Sequence, residues 1–300
     1  MKWLFLFVVR PLSRLPYRIL YWISNGLAVV LGKWVGYRRK VVRAGLEASF
    51  PEAGPAEWDR MERGVYAHLA DLMVESVKHF TVGEREARSR MQYENTQLFD
   101  PAFAAGRHVL IAGGHLNNWE LYALTADAAL PHRTMAIYKR LSHRYMDRVM
   151  QESRSRWGLT MVPTVASASW MEREVGQPNP HPWAVVMGFD QSPADPRKAW
   201  WTTFLGQETA WYYGLEKYAR TYDMAVLYGH IRKPSRGHYV TEYELITDNP
   251  RSLPEGAILE ACIARLEADI RANPAQWLWT HKRWKHRRPA DLPLHPRTAP

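Results

Sequence analysis

A histidine followed five residues later by a glutamate, His115 and Glu120, is the pair in this chain best suited to moving a proton. A neutral imidazole takes the proton of a hydroxyl when a carboxylate fixes its tautomer and stabilises the imidazolium that forms. The alcohol so activated can attack an ester or thioester. Spacing alone is weak evidence. With 12 His and 30 acidic residues among 300, about one H-x4-acid match is expected by chance. The chain has His115/Glu120, His79/Glu84 and His286/Asp291. His79/Glu84 follows a helical pattern in a charged segment, and His286/Asp291 lies in a basic tail. Only His115/Glu120 has a strand signal before it and a helix signal after it. On one continuous helix, residues five apart point ~140° apart, so the two meet only where the chain bends. Gly113-Gly114 and Asn117-Asn118 permit such a bend.

The elements that must position this pair follow from the surrounding pattern. Val109 to Ala112 is a short apolar run bounded by glycine, which reads as a buried strand. His115 then lies past the carboxyl end of a strand, where open α/β sheets form their ligand crevices. Val41 to Met91 is helical in pattern, with Met61, Val65, Leu69, Leu72 and Val77 at core spacing. Downstream, Thr134–Tyr138, Thr160–Val162, Trp183–Phe189 and Ala225–Ile231 read as strands. Tyr145–Trp157, Trp211–Tyr222 and Pro254–Arg271 read as helices, and a turn at Pro234–Gly237 closes a hairpin with Tyr239–Ile246. This alternation predicts an α/β fold with a mixed, mostly parallel sheet covered by helices. Arg140 and Asp190 each follow a strand, so with His115 three strands would present polar groups along one sheet edge. The bland readings stand equally well on the residues alone: a solvated cation for Arg140, a helix or turn cap for Asp190. Arg154 and Arg156 end a helix, where cations offset the dipole.

Composition narrows the partners. The net charge of +10 suits nucleic acid, anionic lipid or an acidic carrier protein. Fourteen Trp and 15 Tyr favour interfaces and ligand grooves. A single cysteine, Cys262, excludes an intrachain disulfide and a cysteine-based metal cluster. No zinc helix motif or Gly-rich phosphate loop is present, so neither metal nor cofactor is expected. In residues 1–40, Ile19 to Gly32 carries no charge and is flanked by Arg14, Arg18, Lys33, Arg38, Arg39 and Lys40. Fourteen residues fall short of the ~20 that span a bilayer, so this segment is expected to be helical and to lie shallowly in a membrane as an anchor. The tail His281–Arg288 interleaves five Lys or Arg with aromatics, which can bind nucleic acid or lipid phosphates; the apolar N-terminus tips the choice to membrane. The remaining division is a catalytic region over 41–289 and a flexible tail over 290–300.

Several motifs in order resemble those of the lipid A late acyltransferases, within the lysophospholipid acyltransferase group. Gly114-His115-Leu116-Asn117-Asn118-Trp119-Glu120 is similar to that family's G-H-x-x-N-W-E signature. Leu46 to Pro51, Tyr138-Lys139-Arg140, Arg154-Ser155-Arg156-Trp157-Gly158, Asp190-Gln191 with Phe204-Leu205-Gly206, and Pro274 to Lys285 resemble its other conserved segments. Asn117 stands where the family usually has Gly, Gly45 where it has Asn, and Thr202-Thr203 where it has V-P. The resemblance implies transfer of a fatty acyl chain from an acyl carrier protein thioester to a hydroxyl of a lipid A precursor. It implies an anionic glycolipid acceptor, inner membrane lipid as surroundings and the cytoplasmic face of a bacterial inner membrane, with no nucleic acid. His115 is then the general base, Glu120 its orienter and Asn118 a support of the loop. Arg140, Arg156 and the basic tail would hold acceptor phosphates, with Asp190 and Gln191 in the substrate site. For the oxyanion, backbone N–H groups near Gly113-Gly114 and the Arg156 side chain are both open. An acyltransferase for another membrane lipid, an amino-acid lipid or lysophospholipid, and a non-catalytic anionic-lipid-binding module also remain open.

Overall fold

The computed structural model describes residues 2–177 and 181–296; residues 1, 178–180 and 297–300, including the end of the expected flexible tail, lie outside the described part. The chain begins in helical segments, α1 (Lys2–Leu4), α2 (Arg10–Ser13) and α3 (Tyr17–Val29), joined and extended by π-helical turns at Phe5–Val9 and Val30–Trp34. Then come α4 (Arg39–Ser49), the long α5 (Pro55–His79) and α6 (Glu84–Arg90). Pro55 fits the first turn of α5, where its missing N–H costs nothing, and Glu57 faces the positive helix end.

The remaining elements are β1 (Met91–Glu94), α7 (Asp100–Ala104), β2 (Val109–Gly113), α8 (Trp119–Thr125), β3 (Arg133–Tyr138), α9 (Arg144–Arg154) and β4 (Thr160–Pro163). They continue with α10 (Ser167–Glu174), β5 (Trp183–Gly188), β6 (Trp200–Phe204), β7 (Gln207–Trp211), α11 (Gly214–Thr221), β8 (Ala225–Ser235), β9 (His238–Thr247) and α12 (Ala257–Ala272). Seven strands form one sheet in the order β1-β9-β8-β2-β5-β3-β4. β8, β2, β5, β3 and β4 are mutually parallel, and β9 runs against β8. The expected mixed, mostly parallel sheet flanked by helices is therefore observed.

β2 lies at the middle of the sheet and is apolar on both faces. Val109 and Ile111 enter a core shared with α8, β1 and α7, while Leu110 and Ala112 enter the opposite core with α11 and α12. This alternation is why four consecutive apolar residues read as strand rather than amphipathic helix.

Two expectations need correction. Trp211–Tyr222 is not one helix, because Gln207–Trp211 pairs antiparallel with β6 and α11 starts only at Gly214. Leu205 (φ 48°) and Gly206 (φ 75°) form the two-residue turn, whose left-handed pair matches the twist of a tight hairpin. The tail is not loose over 290–296 either: the His295 ring stacks on Trp200 at 3.5 Å, and the His295 backbone N–H donates to Trp201 O.

α3 lies on α5, with Leu20 and Tyr17 buried and the Ser24 hydroxyl donating to Asp71 at 2.7 Å. Its other face leaves Trp22 81% exposed, and Trp34 just beyond it is 80% exposed. Among the described residues no single helix is long and apolar enough to cross a membrane; Tyr17–Trp34 and Arg39–Ser49 meet that length only together, bent by 86°.

Candidate active site

β2 and β5 are adjacent, parallel and in register, Gly113 beside Gly188, so the residues that follow each strand emerge together. His115 comes two residues after β2 and Asp190 two after β5. A Cβ on Gly188 would sit 3.1 Å from His115 Cε1, so glycine here leaves room for the imidazole. Asp190 Oδ1 is 2.6 Å from His115 Nδ1, and Oδ2 accepts the His115 backbone N–H and the Trp277 indole N–H, both at 2.8 Å. The carboxylate is nearly fully buried, whereas the imidazole side chain keeps 22% exposure. Its Nε2 lies 3.2 Å from Gln191 Nε2, and the Trp119 ring meets it edge-on at 5.1 Å. With Nδ1–H given to Asp190, the Nε2 lone pair accepts from the Gln191 amide, a bond that an incoming hydroxyl could replace.

Burial pushes the Asp190 carboxyl up, but the histidine beside it and the converging donors outweigh this and hold it well below the usual carboxylate range. Burial likewise pulls the His115 pKa down, and the Asp190 charge more than reverses it, so the net shift is upward.

The turn between His115 and α8 is held from two sides. Asn117 has a left-handed backbone, φ 50°, which asparagine tolerates better than most residues. Its Nδ2 donates to Ile231 O and, at 3.0 Å, to Gln276 Oε1, while its N–H donates to Gln276 O. Asn118 caps α8: Oδ1 accepts the Leu121 N–H at 2.8 Å, and Nδ2 donates to Glu75 Oε2 at 2.6 Å. Of the residues expected to permit the bend, Asn117 is the one in the left-handed region, and Gly113 and Gly114 are not. Gly114 serves close packing instead, since a Cβ there would fall 2.5 Å from Leu266 Cδ1.

The expected contact between Glu120 and His115 is replaced by the one with Asp190. Glu120 sits near the imidazole, but its carboxylate takes a two-pronged bond from Arg154, with Nε to Oε2 at 2.8 Å. Burial raises the Glu120 pKa and Arg154 more than offsets it, leaving the net shift downward. α8 explains the difference. Glu120 lies in its first turn and faces the end of α9, while Asp190, two residues past β5, is already at hydrogen-bond distance from Nδ1.

Arg156 does not stand ready for a phosphate, because Nη2 donates to His79 O at 2.9 Å and Nη1 to Phe80 O, capping α5. Arg140 is exposed beyond the end of β3 and is not brought to the imidazole. Gln191 meets the imidazole, whereas the Asn118 side chain is buried and directed to Glu75 and the start of α8. The basic tail divides: Arg283 is buried over the Trp211 ring and donates to Ala210 O, Arg288 pairs with Glu208, and Lys282, Lys285 and Arg287 are exposed. Sequence reasoning left Arg154 as a dipole-offsetting cation and gave Trp277 and Gln276 no role. The signal for Asp190 was present in its position after a strand; nothing local marked its partner.

The arrangement is a histidine fixed by a buried carboxylate, its second nitrogen facing a partly open position at the strand edge, with an arginine within electrostatic reach. Such a group can take and return one proton. A family model described as bacterial lipid A biosynthesis acyltransferase matches residues 1–286. No curated protein matches the chain.

Proposed function

The chain belongs to the bacterial lipid A biosynthesis acyltransferase family, and from that premise we propose that it moves a fatty acyl chain from an acyl carrier protein thioester to a hydroxyl of a lipid A precursor, with His115 as general base. The observation that carries this is the 2.6 Å bond from His115 Nδ1 to Asp190, which leaves Nε2 for the substrate. Nε2 takes the hydroxyl proton while the oxygen attacks the thioester carbonyl carbon, giving a tetrahedral oxyanion. The intermediate collapses with cleavage of the C–S bond, and the imidazolium returns the proton to the departing thiolate. Ester and free carrier thiol result, and no oxidant, metal or cofactor enters the balance.

Asp190 is the orienter in this reading, in the place first given to Glu120. Glu120 holds Arg154 beside the imidazole and occupies Nε and Nη2, so Nη1 is the group offered to the oxyanion. A positioned base supplies about 10²–10⁴-fold; alignment of the two lipid chains and the oxyanion donor account for the rest. Exposed Lys139, Arg140, Lys282, Lys285 and Arg287 supply cations for acceptor phosphates and an acidic carrier. The exposed Trp and basic residues of the N-terminal helices support seating on anionic lipid at the cytoplasmic face of the inner membrane.

The test uses purified full-length protein, an acyl-loaded carrier protein and a phosphorylated lipid A precursor in detergent micelles, with ester formation followed by mass spectrometry. His115→Ala is expected to lower the rate at least about 10²-fold while the protein stays folded. Wild-type turnover in that variant would overturn the general-base reading. Turnover only with a phosphoglyceride acceptor would overturn the lipid A assignment and keep the chemistry.

A further inference from the structure

Between the N-terminal helix and the turn that carries His115 lies a carboxylate with no part in the chemistry above. Glu75, on α5, is 1% exposed. Three donors from separate parts of the chain converge on it: the Tyr21 hydroxyl of α3 donates to Oε1 at 2.9 Å, and the Tyr239 hydroxyl of β9 and the Asn118 amide Nδ2 donate to Oε2, each at 2.6 Å. A buried carboxylate is tolerated only when hydrogen-bonded in this way. Asn118 is satisfied on both ends, its amide donating to Glu75 and its carbonyl capping Leu121. The orientation of that side chain, the start of α8 and the end of the His115 turn are therefore set by one carboxylate.

We propose that Glu75 is a positioning residue for acyl transfer, holding the His115 turn in its productive geometry through Asn118 and linking that geometry to the docked α3 helix through Tyr21. The inference rests on His115 being the base. It adds a link from the outermost helix to the reacting group. α3 stays docked without the Tyr21 hydroxyl, because Ser24 bonds Asp71 and Arg236 bridges Asn25 and Asp71. Removing that hydroxyl therefore perturbs Glu75 and not the seating of the helix.

A donor–acceptor swap separates positioning from mere stability. Asn118→Asp sets two carboxylates at hydrogen-bond distance and is expected to lower kcat about 10²-fold, with KM within about threefold of wild type. Adding Glu75→Gln restores the bond with its direction reversed. The introduced amide donates to the introduced carboxylate, whose other oxygen still caps Leu121. In the double variant kcat should return to within about fivefold of wild type. Tyr21→Phe should lower kcat about 2–10-fold at constant KM and at an unfolding temperature close to wild type. The same acyl-carrier and lipid A precursor assay reads all variants, with thermal unfolding alongside.

A double variant that is folded but no faster than Asn118→Asp would overturn the proposal, as would Tyr21→Phe and Glu75→Gln at wild-type kcat. If Asn118→Asp does not fold, Tyr21→Phe and Glu75→Gln decide the matter. His115→Ala is the control: activity surviving there overturns the base assignment itself, whereas activity lost there and unmoved by the Glu75 and Tyr21 changes overturns only this inference.

Discussion

His115 has to shed its own proton before it can take one from an alcohol. Burial favours the neutral ring, and the Asp190 charge overrides it, so the folded state holds the proton more tightly than an unfolded chain, where histidine titrates at about 6.5. The stabilisation from this raised pKa is complete below the unfolded value and is lost as pH rises through the folded one. The base becomes competent over that same upper range. The rate should therefore climb along an acid limb centred above about 6.5. Asp190→Asn removes the charge that raises the pKa, so the limb should move down, and the plateau should fall by roughly 10²–10⁴-fold as the tautomer is lost. Initial rates across pH for both proteins check this; an unmoved limb in the variant would assign the titration to another group. Arg154 and Glu120, bound to each other, act on the imidazole in opposite senses, so loss of Arg154 alone is expected to move this limb up and loss of Glu120 alone to move it down.

The turn at residues 115–118 owes its shape to one left-handed residue and its fixity to contacts far away in the chain. Asn117 spans to Ile231 in β8 and to Gln276 before the closing Trp277, so it couples the site to the sheet edge and to the C-terminal segment. Glycine would meet this backbone angle without cost, and asparagine meets it with side-chain bonds to offset the strain. Asn117→Ala would meet the steric cost and lose both side-chain bonds, a destabilisation of roughly 2–4 kcal/mol. Asn117→Gly would lose only the bonds, about 1–2 kcal/mol. Urea unfolding of the two variants measures the difference, and an alanine variant as stable as the glycine one would mean that the turn relaxes.

On the molecular surface, the N-terminal helices set exposed apolar side chains among cations. The helices before α4 pack one side on α5 and leave Trp3, Phe7, Trp22, Ile23, Trp34 and Val35 exposed, with Arg10, Arg14, Arg18, Lys33 and Lys40 exposed around them. An exposed apolar face rimmed by cations fits an interfacial seat on anionic lipid. Replacing Trp22 and Trp34 together by Ala should weaken binding to anionic vesicles by roughly tenfold. The circular dichroism of the folded protein should not change, since both rings are exposed. Vesicle co-sedimentation at low and high salt checks both parts, the cationic share of binding fading as salt rises. Unchanged binding in the double variant would remove these rings from the contact.

Local sequence was enough to place β2, β5 and the turn after His115, because strands buried on both faces must be short and apolar and a strand-to-helix turn must break the pattern. It was enough, too, for the order of motifs by which the chain resembles its family. It missed β7 and started the next helix early, at Trp211, since Gln207–Trp211 is held by pairing with β6 rather than by its own periodicity. It also paired His115 with Glu120, whereas the carboxylate at hydrogen-bond distance from Nδ1 is that of Asp190. Glu120 lies five residues along the chain and Asp190 seventy-five, and proximity in sequence favoured the first. The register of two parallel strands favoured the second. Which acid meets Nδ1 depends on Gly113 standing beside Gly188, a fact of sheet pairing that no local pattern encodes.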